Sequence, residues 1–117
     1  FPDLAYEPAA FLITRVVSHP GPGLACLDLG HKAVSAENPI THRVRFPRLP
    51  EAEFISQSEE HLVIRIPEEK RPDIGQAVLG IPYHVCPTVA LHDEATIFRE
   101  DTVSPVRWPI EARKREI

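Results

Sequence analysis

Phe11-Leu12-Ile13-Thr14-Arg15-Val16-Val17 and Leu24-Ala25-Cys26-Leu27-Asp28-Leu29 are joined by a link containing His19-Pro20-Gly21-Pro22-Gly23. These stretches decide the fold. The first is apolar and β-branched, the composition of a strand. The link is dense in proline and glycine and reads as a turn. The second is a buried-type apolar run ended by Gly30, so the pair predicts an antiparallel hairpin. Working outward, residues 52–56 and 61–66 read as two more strands around Gln57-Ser58-Glu59-Glu60. The latter strand alternates: Leu62, Ile64 and Ile66 share one face, Val63 and Arg65 the other. Residues 76–81 form an apolar run into Pro82-Tyr83-His84, and residues 44–46 a weak strand. Residues 31–37 read as a helical turn, and Glu68-Glu69-Lys70-Arg71-Pro72-Asp73 as a solvated charged loop. Residues 95–99 and 106–110 predict a terminal hairpin around Glu100-Asp101-Thr102. About seven short strands at this spacing define a mostly β domain, an antiparallel barrel or sandwich with short helical turns.

The composition agrees. A chain of 117 residues is enough for one domain with one core. It carries 13 prolines, roughly twice the usual share of about 5%. They are scattered, and each fixes φ and removes a backbone donor, so long helices are not expected. There is no methionine, so residue 1 is not a translation start and the chain is expected to belong to a larger protein. The net charge is −4, with no basic stripe interleaved with aromatics, which argues against nucleic-acid binding. The apolar runs 9–13 and 79–82 are too short to span a membrane, and the N-terminal residues lack the features of a signal peptide. Two cysteines, Cys26 and Cys86, make no disulfide framework; a single bridge would close a loop of ~60 residues, but reduced thiols and a cytoplasmic setting are the better expectation.

Chemistry concentrates in Pro82-Tyr83-His84-Val85-Cys86-Pro87-Thr88-Val89. In an extended strand His84 and Cys86 would point to one face. Imidazole and thiolate suit zinc or another borderline metal. Pro87 would then open the sheet edge just beyond the pair. A closed structural zinc site wants four ligands, so a metal held by two would keep positions open for water or substrate. By spacing alone, however, a His and a Cys two residues apart are more often packing or surface residues. A Cys86 nucleophile with His84 or His92 as base is the rival chemistry. It lacks an evident orienting residue, and the strand reading puts Cys86 away from any helix N-terminus. Asp28 to Glu37, by itself, reads as a tight turn capped by Asp28 and Ser35, and Ser58-Glu59-Glu60-His61 as a plain turn.

Taken together, four segments carry a resemblance. Asp28-x-Gly30-x-Lys32-Ala33-x-Ser35, Ser58-Glu59-Glu60-His61, Pro82-x-His84-x-Cys86-Pro87-Thr88-Val89 and Trp108-x-Ile110-x-Ala112-Arg113 occur in this order. The chain resembles, over nearly its whole length, the C-terminal domain of the D-threonine aldolase and D-serine dehydratase-like enzymes. These are fold-type III pyridoxal-phosphate enzymes related to alanine racemase. The resemblance implies that residues 1–117 are a metal-binding β domain. The cofactor would sit on a lysine of an N-terminal (β/α)₈ barrel, for which a chain of this length has no room, a barrel needing about 200 residues. Lys32 is therefore not expected to be the cofactor lysine. The resemblance further implies a homodimer, in which the β domain of one subunit covers the barrel mouth of the other, and an apolar surface exposed where the barrel is missing. It implies a divalent metal, zinc first and manganese second, at His84 and Cys86, near the β-hydroxyl of a small D-3-hydroxy amino acid. His61 and Glu60 are candidates for supporting that metal, with a purely structural role ahead. The activity implied is a lyase of either the dehydratase or the aldolase kind. Aspartate often stands in the place of Cys86 in the aldolases, which tilts slightly towards the dehydratase. The alternative is a stand-alone β binding module without catalysis.

Overall fold

The computed structural model describes residues 7–99 and 102–111. Its strands are β1 (Leu12–Ser18), β2 (Leu24–Leu27), β3 (Val44–Arg45), β4 (Glu53–Gln57), β5 (Leu62–Arg65), β6 (Ala77–Pro82), β7 (Glu94–Arg99) and β8 (Thr102–Pro109). One short helix, α1 (Val85–Val89), follows β6, and single 3₁₀ turns lie at Ile40–His42 and Glu68–Lys70. Six strands form one curled antiparallel sheet, a half-barrel, in the order β3-β6-β1-β2-β5-β4; β7 and β8 form a separate ribbon. The mostly β expectation holds, and among the described residues the longest helix has five residues.

The predicted hairpin is present. Val16 registers with Leu27 and Ser18 with Cys26, with a bulge at Val17. Its turn closes through a Leu24 amide bond to the Gly21 carbonyl (3.1 Å) and needs Gly23 at φ 69°, where side chains other than glycine's are strained. The period-2 pattern then sorts the faces. Val16, Ala25, Leu27, Leu62 and Ile64 point inwards and are essentially sealed from solvent, joined by Leu29, Val34, Val44, Phe46 and Val78. Ile66 is buried as the alternation predicts. The opposite face of β1 is apolar but open: Ile13 registers with Leu79 of β6, and Phe11, Ile13 and Val17 are exposed.

Asp28 does not cap the turn that follows it. Its Oδ1 accepts from the Thr14 hydroxyl (2.5 Å) and from the Arg15 amide (2.8 Å), stitching the end of β2 back onto β1. Thr14 is 1% exposed. Asp28→Ala would leave that buried hydroxyl without its acceptor, so the variant is expected to lose about 1–3 kcal/mol of stability. Urea unfolding checks this; a midpoint equal to wild type would show that water replaces the carboxylate.

The terminal hairpin also forms, with Arg99 opposite Thr102 and Ala95 opposite Trp108. Residues 100 and 101 of its tip lie outside the described residues, as do Ala112 and Arg113 of the fourth motif and the N-terminal residues 1–6. Cys26 is buried in the sheet and Cys86 is exposed; both are free thiols.

Candidate functional site

Three of the four motif segments meet in space. The loop after β2 lies against the turn between β4 and β5. The His31 amide donates to the Ser58 carbonyl (2.9 Å) and the Lys32 amide to the Glu59 carbonyl (3.1 Å). Gly30 permits this approach, because a Cβ there would stand 2.2 Å from the Glu59 carbonyl oxygen. The loop then makes the predicted helical turn, Ala33 and Val34 amides returning to the Gly30 carbonyl (3.0 and 3.3 Å), and buries Val34 completely. Arg43 and Gln57 brace it from the side. Arg43 donates to the Asn38 carbonyl (2.7 Å) and to the Gln57 side-chain oxygen (2.8 Å), and Gln57 donates to the Leu29 carbonyl (2.9 Å).

The segment that carries His84 and Cys86 differs from its prediction. β6 stops at Pro82, and the chain enters α1 with His84 as its N-cap residue, φ −115° and ψ 94°. Cys86 is the second residue of that helix, not a strand residue, so strand alternation does not put both side chains on one face. Cys86 also lies in the first turn of a helix, where the strand reading does not put it. The cause is Pro87. A proline in the first helical turn loses nothing, because the amides there have no intrahelical acceptor, and its fixed φ suits the helix. The residue read as opening a sheet edge helps to start a helix.

This helix is tied to the loop. The Thr88 hydroxyl donates to the His84 carbonyl one turn back (2.8 Å) and accepts from the Ser35 amide (3.0 Å). Thr88 is 2% exposed, so the knot is dry. His92 reaches the same loop through a bond between its Nε2 and the Ala33 carbonyl (2.9 Å), which makes Nε2 the protonated nitrogen. That contact gives His92 a structural task. At the knot's solvent side a Glu37 carboxylate oxygen lies against His84 Nδ1, and the Ser35 hydroxyl is 3.4 Å from the same oxygen.

Glu60, by contrast, is paired with Lys32 (2.7 Å). The bond lowers the Glu60 pKa and raises that of Lys32, in both cases chiefly through the side-chain hydrogen bond between them. Both groups are exposed and solvent-screened. Lys32 thus closes the loop onto the Ser58–His61 turn. His61 is exposed, and its backbone closes the turn with Ser58. The carboxylate that touches His84 is Glu37, which sequence reasoning placed in the right segment without assigning it a task. Thr88 and Ser35 were visible as motif members, whereas Arg43 and Gln57 carried no signal.

His84 and Cys86 carry donor atoms of the kinds that ligate metals. Cys86 offers a free, exposed thiol, and the Glu37 contact at Nδ1 leaves His84 Nε2 available. Among the described residues no group of three or more His, Cys, Asp or Glu side chains forms a metal-ligating cluster. Nor does any helix among them have the length and apolarity to cross a membrane.

The sequence model described as "Putative serine dehydratase domain" matches residues 9–98, and the chain belongs to that family. It is 34% identical over 111 residues to a D-threonine aldolase of an Arthrobacter species, covering 94% of this chain and 28% of the relative. The crystal structure of D-threonine aldolase from Filomicrobium marinum superposes with a TM-score of 0.77 at 28% identity, over 88% of this chain and 28% of that one. The chain therefore spans a little over a quarter of these aldolases. An uncharacterized protein of Mycobacterium tuberculosis is 30% identical over 115 residues, covering 95% of this chain and 85% of its own length.

Proposed function

We propose that this chain is the metal-holding β domain of a pyridoxal-phosphate-dependent lyase that acts on small D-3-hydroxy amino acids. The observation that carries this reading is the exposed pair of His84, braced by Glu37, and the free Cys86 thiol, in a domain similar to that of D-threonine aldolase. Imidazole and thiolate favour zinc, with manganese the alternative, and two protein donors leave coordination positions for substrate oxygen and water. A metal bound there would act as a Lewis acid on the substrate β-hydroxyl. Pyridoxal phosphate would be held by the larger barrel domain of the same protein, which would also form the homodimer. Within this chain His84 and Cys86 hold, Glu37 braces the ring, and the Ser35–Thr88 knot fixes the helix that carries both donors.

The test is product analysis on the complete enzyme. D-threonine should give glycine and acetaldehyde if it is an aldolase; D-serine should give pyruvate and ammonia if it is a dehydratase. Exhaustive chelation should abolish turnover and added zinc or manganese should restore it. Activity that survives chelation overturns the metal assignment. A second reading, a stand-alone binding module, is favoured by the mycobacterial relative, 85% of which this chain covers. It predicts an open reading frame that starts shortly before Phe1, whereas a preceding barrel of about 250 residues refutes it.

A further inference from the structure

We propose that Glu37 is the positioning residue of His84, fixing the ring with Nδ1 protonated and Nε2 presented as the metal-binding nitrogen. The inference rests on the metal reading above and adds to it a residue from a different part of the chain. The Glu37 carboxylate lies against Nδ1; a carboxylate only accepts, so a neutral ring held there carries its proton on Nδ1 and its lone pair on Nε2. Metal-binding histidines are commonly held this way by a carboxylate, which selects the tautomer and makes the ring a better donor.

The contact is not a stabilising device. The two side chains are 47% and 54% exposed, and such a pair contributes little to folding. Yet the backbone around it is held from both ends. The Ser35 amide and the His84 carbonyl share the buried Thr88 hydroxyl, at 3.0 and 2.8 Å, and the Ser35 hydroxyl also touches the Glu37 carboxylate at 3.4 Å. A dry knot thus aligns an exposed carboxylate with an exposed imidazole. The investment in placement, where the pair returns little stability, points to the ring's orientation as what is being controlled.

The experiment compares wild type, Glu37→Ala and Glu37→Gln in the purified protein. Two-bond ¹H–¹⁵N correlation spectra of the metal-free protein read the His84 tautomer directly. Wild type should show the Nδ1–H form, Glu37→Ala should shift towards the Nε2–H form of free imidazole, and Glu37→Gln, whose amide oxygen still accepts from Nδ1–H, should retain the wild-type form. Cobalt(II) titration, followed by the thiolate-to-metal absorption from Cys86, should show affinity about 10–100-fold weaker in Glu37→Ala and largely restored in Glu37→Gln. The urea midpoint should be the same in all three. An unchanged tautomer and an unchanged cobalt affinity in Glu37→Ala overturn the inference. Wild-type protein that takes up no cobalt overturns the metal reading instead, and the tautomer comparison still decides whether Glu37 orients His84.

Discussion

Gly30→Ala is expected to lower stability by about 2–3 kcal/mol, the cost of forcing an atom into filled space. For a domain of this size that is a fall in Tm of roughly 10–20 °C. The new Cβ would lie 2.2 Å from the Glu59 carbonyl oxygen and 2.3 Å from both the Glu59 carbonyl carbon and the Glu60 nitrogen. All three are backbone atoms, so no rotamer change can relieve the overlap. The loop and the turn must separate, which also breaks the His31 and Lys32 amide bonds to Ser58 and Glu59. Because the same loop carries Ser35 and Glu37, the damage should reach His84. Differential scanning calorimetry reads the effect, and a Tm within about 3 °C of wild type would show that the loop can lift away at little cost.

His84→Ala and Cys86→Ala should each reduce lyase turnover of the complete enzyme by about 10²–10³-fold. A Lewis acid contributes several kcal/mol to a transition state, and each 1.4 kcal/mol is a factor of ten. Bound metal, measured by elemental analysis, should fall in parallel. Stability should hardly move, since both side chains are exposed. Cys86→Asp is the informative partner. Replacing a soft sulfur by a hard oxygen should keep a site but turn its preference from zinc towards manganese. Full activity in His84→Ala would remove the metal from this position altogether.

The strands were legible because their information is local. Residues 11–17 and 61–66 show β-branched composition or period-2 alternation, and glycine and proline punctuate the turns. The segment 82–89 misled for a physical reason. Its residues Val85 and Val89 favour strands, and its prolines are breakers in a strand but acceptable at the start of a helix. The choice fell to tertiary contacts: Thr88 is buried beneath the Ser35 loop, and the helical turn lets its hydroxyl satisfy the His84 carbonyl while receiving the Ser35 amide. Glu37 escaped notice because nothing in sequence marks which of many exposed carboxylates will meet a given imidazole.

By itself the sequence determined the strand-rich class, the hairpin of β1 and β2, the inward face of β5 and the family motifs with His84 and Cys86 among them. Propensity, alternation and turn chemistry act over a few residues and can be read along the chain. Only the tertiary structure decided that β5 and β6 flank that hairpin, that His84 caps a helix, and that Glu37 and the Ser35–Thr88 knot stand behind it. Those contacts join residues far apart in the chain, Leu12 with Gly80 and Ser35 with Thr88 among them. They are set by the packing of a common core and by the need to satisfy buried polar groups, neither of which has a period in sequence.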